Sequence, residues 1–330
     1  MQILGDTNAT LLDLTIVAEA ALEEQVTPIY PILCSDIKAA DEAYVKIPIQ
    51  TKSAFPVLFD GEREDTSTEV TVVQQYNKAT YALTLEFNAD LVKESKAYSF
   101  SEKTEEAAIS AKIFPNYNLS ANIIIKNPTA YDGKAFYSTA GSTGTRHLWA
   151  NAGANFFYNA ITQTGTTVTQ LWADLQTAVA TMMSILDDKG RLLNPQLEYG
   201  EKNLVIHCPV ALMAAFRQLL HGSMIAISAP VTTSGTAAVG ASGPSTIPQF
   251  QAIARLIPDG YLDVNSTSRW YLHYVGRPQK PFVFSESYGL EAFALGFGTE
   301  YQRIHNKVMI GTQHRFVEGV YRTDRSIKIG

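Results

Sequence analysis

Residues 79–87, ATYALTLEF, and residues 101–125, SEKTEEAAISAKIFPNYNLSANIII, decide how this chain is read. In the first stretch Tyr81, Leu83, Leu85 and Phe87 alternate with Thr80, Ala82, Thr84 and Glu86, the period of two that marks a strand with one face in a core. The second reads as a single helix of about 37 Å at a rise of about 1.5 Å per residue. Pro115 lies inside it, where the ring crowds the carbonyl of Ala111 and removes one backbone hydrogen bond, so a bend is predicted between Ala111 and Pro115.

Upstream, YVKIPIQT (44–51) and TEVTVVQQY (68–76) read as two β-runs flanking a segment rich in Asp, Glu, Ser and Thr around Asp60-Gly61-Glu62, a long hairpin with an acidic tip. Arms of this length project on the order of 30 to 40 Å, with open edges that call for another chain; the alternative is a mobile surface loop. Between Thr27 and Ile49 the prolines 28, 31 and 48 predict an extended arm. Before it, Leu11, Leu14, Val17, Ala18, Ala21 and Leu22 form one apolar helical stripe that needs a partner surface.

Downstream, a turn at Asp132-Gly133 and the polar stretch STAGSTGT (138–145) lead to a helix with Val168, Leu171, Leu175, Val179, Met182 and Leu186 at helical spacing, stopped near Gly190. The strand NLVIHC (203–208) is followed by Pro209 as a helix opener and by the apolar VALMAAFRQLL, closed by Gly222. Residues 232–246 (TTSGTAAVGASGPST) are low in complexity and read as a flexible loop, after which aromatic-rich strands run through WYLHYV, PFVFS and the carboxyl-terminal segment. The class is α+β.

At 330 residues the chain is long enough for about two domains with real cores. Only 18% of the residues are charged, where about 25% is usual, which points to surface covered by subunit contacts. A net charge of −6 argues against a surface built for phosphate backbones. The charge is uneven: residues 1–100 carry 16 acidic and 7 basic groups, and residues 101–330 carry 16 acidic and 19 basic. Two distant cysteines, Cys34 and Cys208, give neither a disulfide scaffold nor a metal site, and suit a reducing cytoplasm. The first basic residue is Lys38 and no apolar run reaches membrane length, so neither a secretory signal nor a membrane partner is expected.

Candidate chemistry is thin. His207 and Cys208 are neighbours on a strand and so point to opposite faces, which keeps them from sharing a proton. GSTGT (141–145) lacks the Lys of a phosphate-binding loop, and the histidines at 147, 221, 273, 305 and 314 show no metal-ligand spacing. Asp187 and Asp188 fit a turn before Gly190 better than an acid/base dyad. No catalytic residue, cofactor or metal is assigned.

The order of the pieces, namely amphipathic arm, extended hairpin, alternating strand, long helix, central α/β part and closing strands, resembles the tailed-bacteriophage major capsid proteins of the Hong Kong 97 fold. ATYALTLEFNADLVKES (79–95), AKIFPNYNLSANIII (111–125), YDGKAFYSTAG (131–141), LDDKGRLL (186–193), NLVIHCPVALMAAFRQLL (203–220) and WYLHYVGRPQKPFVF (270–284) resemble the Mu-like major head proteins more closely. The resemblance implies an N-terminal arm over 1–43, an extended E-loop over 44–75 and a peripheral domain over 76–150 with a spine helix at 101–125. It further implies an axial domain over 151–290 and, over 291–330, strands that close both domains.

It also implies a structural protein, not an enzyme, that assembles with itself through hexamers and pentamers into an icosahedral shell around double-stranded DNA, bound without sequence specificity. Such a head protein is located in the virion capsid, is assembled in the bacterial cytoplasm, and can meet a portal, a separate scaffolding protein and decoration proteins. The E-loop residues Phe55, Val57, Leu58, Phe59, Asp60, Glu62, Glu64 and Asp65 would lie across a neighbour, their acids meeting basic groups among Arg303, Lys307, Arg315, Arg322, Arg325 and Lys328. An encapsulin-type compartment is the nearest alternative, and a cytosolic hydrolase using His207 or Asp132 a third.

Overall fold

The structure is a computed structural model that describes residues 28–38, 43–50, 70–90, 98–139, 147–148, 156–187, 190–194, 197, 203–221, 254–295 and 299–330. In chain order the elements are α1 (Tyr30–Leu33), β1 (Cys34–Asp36), β2 (Tyr44–Gln50), β3 (Val70–Asn77), β4 (Ala79–Asn88) and α2 (Tyr98–Tyr117), the last continued by a π-helical segment, Asn118–Ile124. There follow β5 (His147–Leu148), β6 (Phe156–Phe157), β7 (Ala160–Ile161), α3 (Val168–Ser184), β8 (Leu204–Cys208) and α4 (Met213–His221). The chain closes with β9 (Ala254–Pro258), α5 (Gly260–Asp263), β10 (Trp270–Tyr274), β11 (Phe282–Leu295), α6 (Glu300–His305), β12 (Lys307–Val320) and β13 (Ser326–Ile329).

The chain divides into two compact units. The first takes the described parts of Met1–Lys46, Gln75–Leu119 and Val283–Gly319, and the second those of Ile47–Gln74, Ser120–Phe282 and Val320–Gly330. Residues 120–139 fall in the second unit.

A four-stranded sheet in the order β1-β11-β12-β4 carries the first unit. β4 and β12 pair antiparallel over ten residues, from Lys307 opposite Asn88 to Phe316 opposite Ala79. The alternation in β4 works as expected at Phe87, which is buried with Val308 and Ile310, while Leu83 stays 39% exposed. An aromatic cluster fills the other end: Phe316 lies 4.8 Å from Tyr81 and 5.5 Å from Phe284 between ring centroids, and Tyr81 lies 4.8 Å from Phe114 of α2. A β-carbon at position 311 would stand 2.5 Å from Phe293 Cζ and 2.9 Å from the Leu83 carbonyl oxygen, so only glycine lets β12 pass there.

The α-helical register of α2 runs through Pro115 to Tyr117 and gives way to the π register at Asn118. Asn116 Oδ1 accepts the Ile29 and Tyr30 N–H groups at 2.8 and 3.3 Å, tying this last α turn to the N-terminal segment. Such tertiary ties offset the one bond that Pro115 cannot make. Beyond it, the Ile125 N–H reaches back five residues to the Ser120 carbonyl at 3.0 Å.

The second unit holds a five-stranded mixed sheet in the order β7-β13-β10-β8-β9. Strand periodicity sends Leu204, Ile206, Cys208, Trp270, Leu272, Ile327 and Ile329 to one face, against Leu171, Leu175, Met182 and Phe216 of α3 and α4. Thr167 and Gln170 form a capping box that starts α3. α3 ends at Ser184, before Gly190, which serves instead in a turn at φ +76° where Asp187 binds the Arg191 guanidinium at 2.8 Å. The opposite face of the sheet carries His207, Tyr271, His273 and Ser326 and is covered by residues such as Tyr137, whose hydroxyl lies 2.8 Å from Ser326 Oγ.

β2 and β3 pair as a two-stranded ribbon, as the hairpin reading predicts. Val45, Ile47 and Ile49 are buried on one face of β2. The acidic tip between the strands lies outside the described residues.

Candidate inter-subunit surfaces

For a chain without catalytic motifs, the sites of interest are groups left to meet another chain. The E-loop residues Phe55, Val57, Leu58, Phe59, Asp60, Glu62, Glu64 and Asp65 fall outside the described residues. The six basic groups expected to meet them, Arg303, Lys307, Arg315, Arg322, Arg325 and Lys328, fall within the described residues, and local packing sorts them.

Arg303 stands exposed on α6, a short helix capped by the Thr299 hydroxyl at one end and by Asn306 in the left-handed conformation at the other. Next to it Ile304 is 67% exposed, an apolar side chain between two basic ones. Lys307 is exposed but engaged: its Nζ donates to Glu86 Oε2 at 2.6 Å, and Tyr301 donates to the other oxygen at 2.9 Å. Those two hydrogen bonds lower the Glu86 carboxyl below the usual range. Arg315 is half-buried, opposite Thr80 in the sheet.

Arg322 and Arg325 are of another kind. Arg322 grips Asp324 with two parallel bonds of 2.8 Å beneath the surface of the second unit and also reaches the exposed Gln279 at 2.7 Å. Burial, the largest single influence, would raise the Asp324 carboxyl, but the charge and hydrogen bonds of Arg322 together with the Arg325 charge hold the group below its ordinary value. Arg325 lies over the Tyr274 ring at 5.9 Å, its pKa brought down to about 10 by burial and then by Arg322, and it remains cationic at neutral pH. Lys328 is half-buried on β13. Arg303, Arg315 and Lys328 are therefore the candidates with least internal engagement, Arg303 being the exposed one of the three, a sorting that spacing in sequence does not reveal.

The residues named for a hydrolase are structural. His207 Nε2 meets Asp259 Oδ2 at 2.9 Å, and Ser120 Oγ donates to the same oxygen at 2.5 Å, so the serine proton is directed to the aspartate and not to the imidazole. The His207 hydrogen bond, with that of Ser120, lowers the Asp259 carboxyl against the effect of burial. All three side chains are buried, out of reach of a substrate. Asp132 holds His147 Nδ1 at 2.7 Å while His147 Nε2 lies 2.9 Å from the Phe136 carbonyl, which fixes a loop. Cys208 faces the apolar core, and its thiol is pushed up to about 12 by burial.

The first unit also has a cleft of about 280 Å³ between α2 and its sheet, lined by Tyr81, Leu83, Ala111, Phe114, Leu290 and His314 among others. It is mostly apolar, and His314 Nε2 at its rim is held 2.5 Å from Glu286 Oε1. No cluster of three or more metal-ligating side chains is found among the described residues. No described helix is long and apolar enough to cross a membrane.

No family model and no curated protein sequence matches the chain. Solved structures do. The asymmetric unit of the bacteriophage PhiM1 mature capsid superposes over 93% of this chain and 87% of its own, with a TM-score of 0.52 at 9% identity. The capsid of the cyanophage P-SCSP1u does so over 93% and 90%, with a TM-score of 0.51 at 11% identity. The virus-like particle of Pyrococcus furiosus covers 96% and 98%, with a TM-score of 0.52 at 8% identity. With the two units and the ribbon in place, this likeness over nearly the whole chain gives the protein the Hong Kong 97-like fold of phage capsid proteins.

Proposed function

We propose that this chain is a major capsid protein that closes, in many copies arranged as hexamers and pentamers, into an icosahedral phage head enclosing double-stranded DNA. The observation that carries the reading is the likeness to phage capsid chains over 93% of its length. A closed shell needs self-complementary surfaces in large number and no active site, and the buried, mutually bonded His207, Asp259 and Ser120 accord with that demand. Within this reading the first unit is the peripheral domain and the second the axial domain. The Mu-like assignment, the portal, scaffold and decoration partners, and assembly in the host cytoplasm belong to the same proposal.

The E-loop is the clasp. Its apolar residues Phe55, Val57, Leu58 and Phe59 pack on a neighbouring copy, and Asp60, Glu62, Glu64 and Asp65 meet basic groups there, first Arg303 and Arg315. An exposed ion pair contributes only about 0 to 1 kcal/mol, so apolar burial dominates each contact.

Negative-stain electron microscopy of the purified protein beside size-exclusion chromatography tests the function. Shells, or rings of five and six, are expected; a uniform species of one to four chains at every concentration, with and without crowding agents, overturns the reading. The likeness to the Pyrococcus furiosus virus-like particle favours a second reading, an encapsulin-type shell with protein cargo. Nuclease-protected double-stranded DNA in native particles separates the two.

A further inference from the structure

The cleft between α2 and its sheet follows one side of the helix. Ala111 and Phe114 form its α2 wall, and Tyr81 and Leu83 of β4 with Leu290 of β11 form most of its floor. Past Leu83 it narrows and continues beside Leu85 and Ala107. The floor is not sealed, since Leu83 is 39% exposed and Tyr81, Phe114 and Leu290 are only half-buried. An apolar cavity of about 150 Å³ takes up a benzene molecule, so a cleft of about 280 Å³ has room for two leucine-sized side chains. Covering such apolar surface is favourable by about 25 cal/mol per Å².

The N-terminal segment joins the described residues beside this cleft. The Ile29 and Tyr30 N–H groups are bound to Asn116, two residues past Phe114 on α2. The Tyr30 ring lies 4.4 Å from Phe284, which leads through Phe316, at 5.5 and then 4.8 Å, to Tyr81 on the cleft floor. The stripe Leu11, Leu14, Val17, Ala18, Ala21 and Leu22 lies outside the described residues, but its tether is short. Glu24 is four residues before Pro28, at most about 14 Å of fully extended chain. A helix over 8–24 would be about 25 Å long and, alone in water, marginal, so its apolar stripe calls for a surface to pack on.

We propose that residues 8–24 of the same chain lie as a helix in this cleft, with the stripe inserted between α2 and the sheet. The tie at Asn116 holds the end of the segment at the end of α2, so the two helices run parallel. Leu22 comes nearest Phe114, while Leu14 and Leu11 reach toward Leu85 and Ala107. The stripe covers Leu83 and Leu290, the apolar floor that the sheet and α2 leave open. It is thereby used within its own chain and is not an arm for a neighbouring copy. The inference goes beyond the shell reading and does not depend on it.

Photo-capture in the full chain tests this, with a benzophenone-bearing phenylalanine in place of Ser110, which is exposed on the cleft rim. After irradiation the captured peptide is expected to come from residues 8–24, in a product that runs as a single chain on a denaturing gel. Capture of residues 8–24 only in a two-chain product would put a second copy in the cleft, and capture of residues 51–69 would put the E-loop there. Either result, or no capture, overturns the proposal. Hydrogen exchange gives a second reading without a bulky group. Undocked, residues 8–24 exchange at close to the intrinsic rate; in the wild type their amides are expected to be slowed on the order of 100-fold. Leu83→Asp sets a charge on the cleft floor at a side chain already 39% exposed. It is expected to abolish that protection while β8 and β10 of the second unit keep theirs. A wild type without protection over 8–24, or protection that Leu83→Asp leaves unchanged, overturns the proposal. If Leu83→Asp does not fold, photo-capture and the wild-type exchange decide.

Discussion

Asp324 is buried with no exposed surface and balanced by Arg322 through two bonds of 2.8 Å. Removing one partner of such a pair strands a charge in a medium that cannot hydrate it. Asp324→Ala is therefore expected to lower the unfolding free energy by about 3 to 5 kcal/mol, read as a drop in the urea midpoint at unchanged slope. The pH dependence has a definite sign. The folded carboxyl lies below its unfolded value, so its contribution is complete above the ordinary aspartate range and is lost as pH falls through the lowered folded value. A wild-type chain should consequently lose stability on acidification faster than Asp324→Asn, measured by midpoints between pH 5 and 3. The buried thiols give a second expectation at this scale. With Cys208 raised to about 12 and both cysteines buried, a chromogenic disulfide reagent at pH 8 should find almost no reactive thiol in the native protein and two after denaturation. Rapid reaction of one native thiol would show that the core around β8 opens readily.

At the scale of elements, the close approach of β12 to its neighbours is the sharpest constraint. Gly311→Ala places a β-carbon 2.5 Å from Phe293 Cζ and 2.9 Å from the Leu83 carbonyl oxygen. The ring can move and the paired backbone cannot, so a cost of about 1 to 3 kcal/mol is expected by thermal or urea unfolding, only partly relieved in the double variant with Phe293→Leu. Full relief would mean that the backbone contact is slack. The elements themselves were legible where pattern is local. The alternation from Tyr81 to Phe87, the helical spacing from Val168 to Met182 and the apolar run Leu204–Cys208 each mark a strand or helix that the structure contains. Legibility ended where long-range contacts decide. Nothing near Pro115 in sequence says that Asn116 will bind the backbone of Ile29 and Tyr30, 87 and 86 residues away. The same holds for Glu318, whose partner Asn118 is 200 residues distant, and for Asp259, bonded to Ser120 139 residues before it. The one local hint was the period of β12, which sets Glu318 on the face of Phe316.

For the whole molecule, the question is which charges remain for another copy once internal pairing is complete. The first 100 residues are strongly acidic and the remainder basic, a split that suggests attraction between copies until the basic groups are followed to their partners. Arg322 is neutralised by Asp324 and Lys307 by Glu86, within the chain. The long-range field thus rests on fewer groups than composition suggests, and among the six basic groups Arg303, beside the exposed Ile304 on a capped helix, is exposed and not drawn into an internal ion pair. Reversing Asp60, Glu62 and Glu64 to Lys should lower the yield of shells most at low salt, where screening over about 10 Å or less is weakest. Adding Arg303→Glu should restore part of that yield if Arg303 is the partner. Leu58→Ala with Phe59→Ala should lower the yield at every salt concentration, because it removes buried area instead of charge. Unchanged shell yield of the triple reversal in low salt would remove the electrostatic clasp. Loss that Arg303→Glu does not repair would move the partner to Arg315 or Lys328, and the matching reversals there would find it.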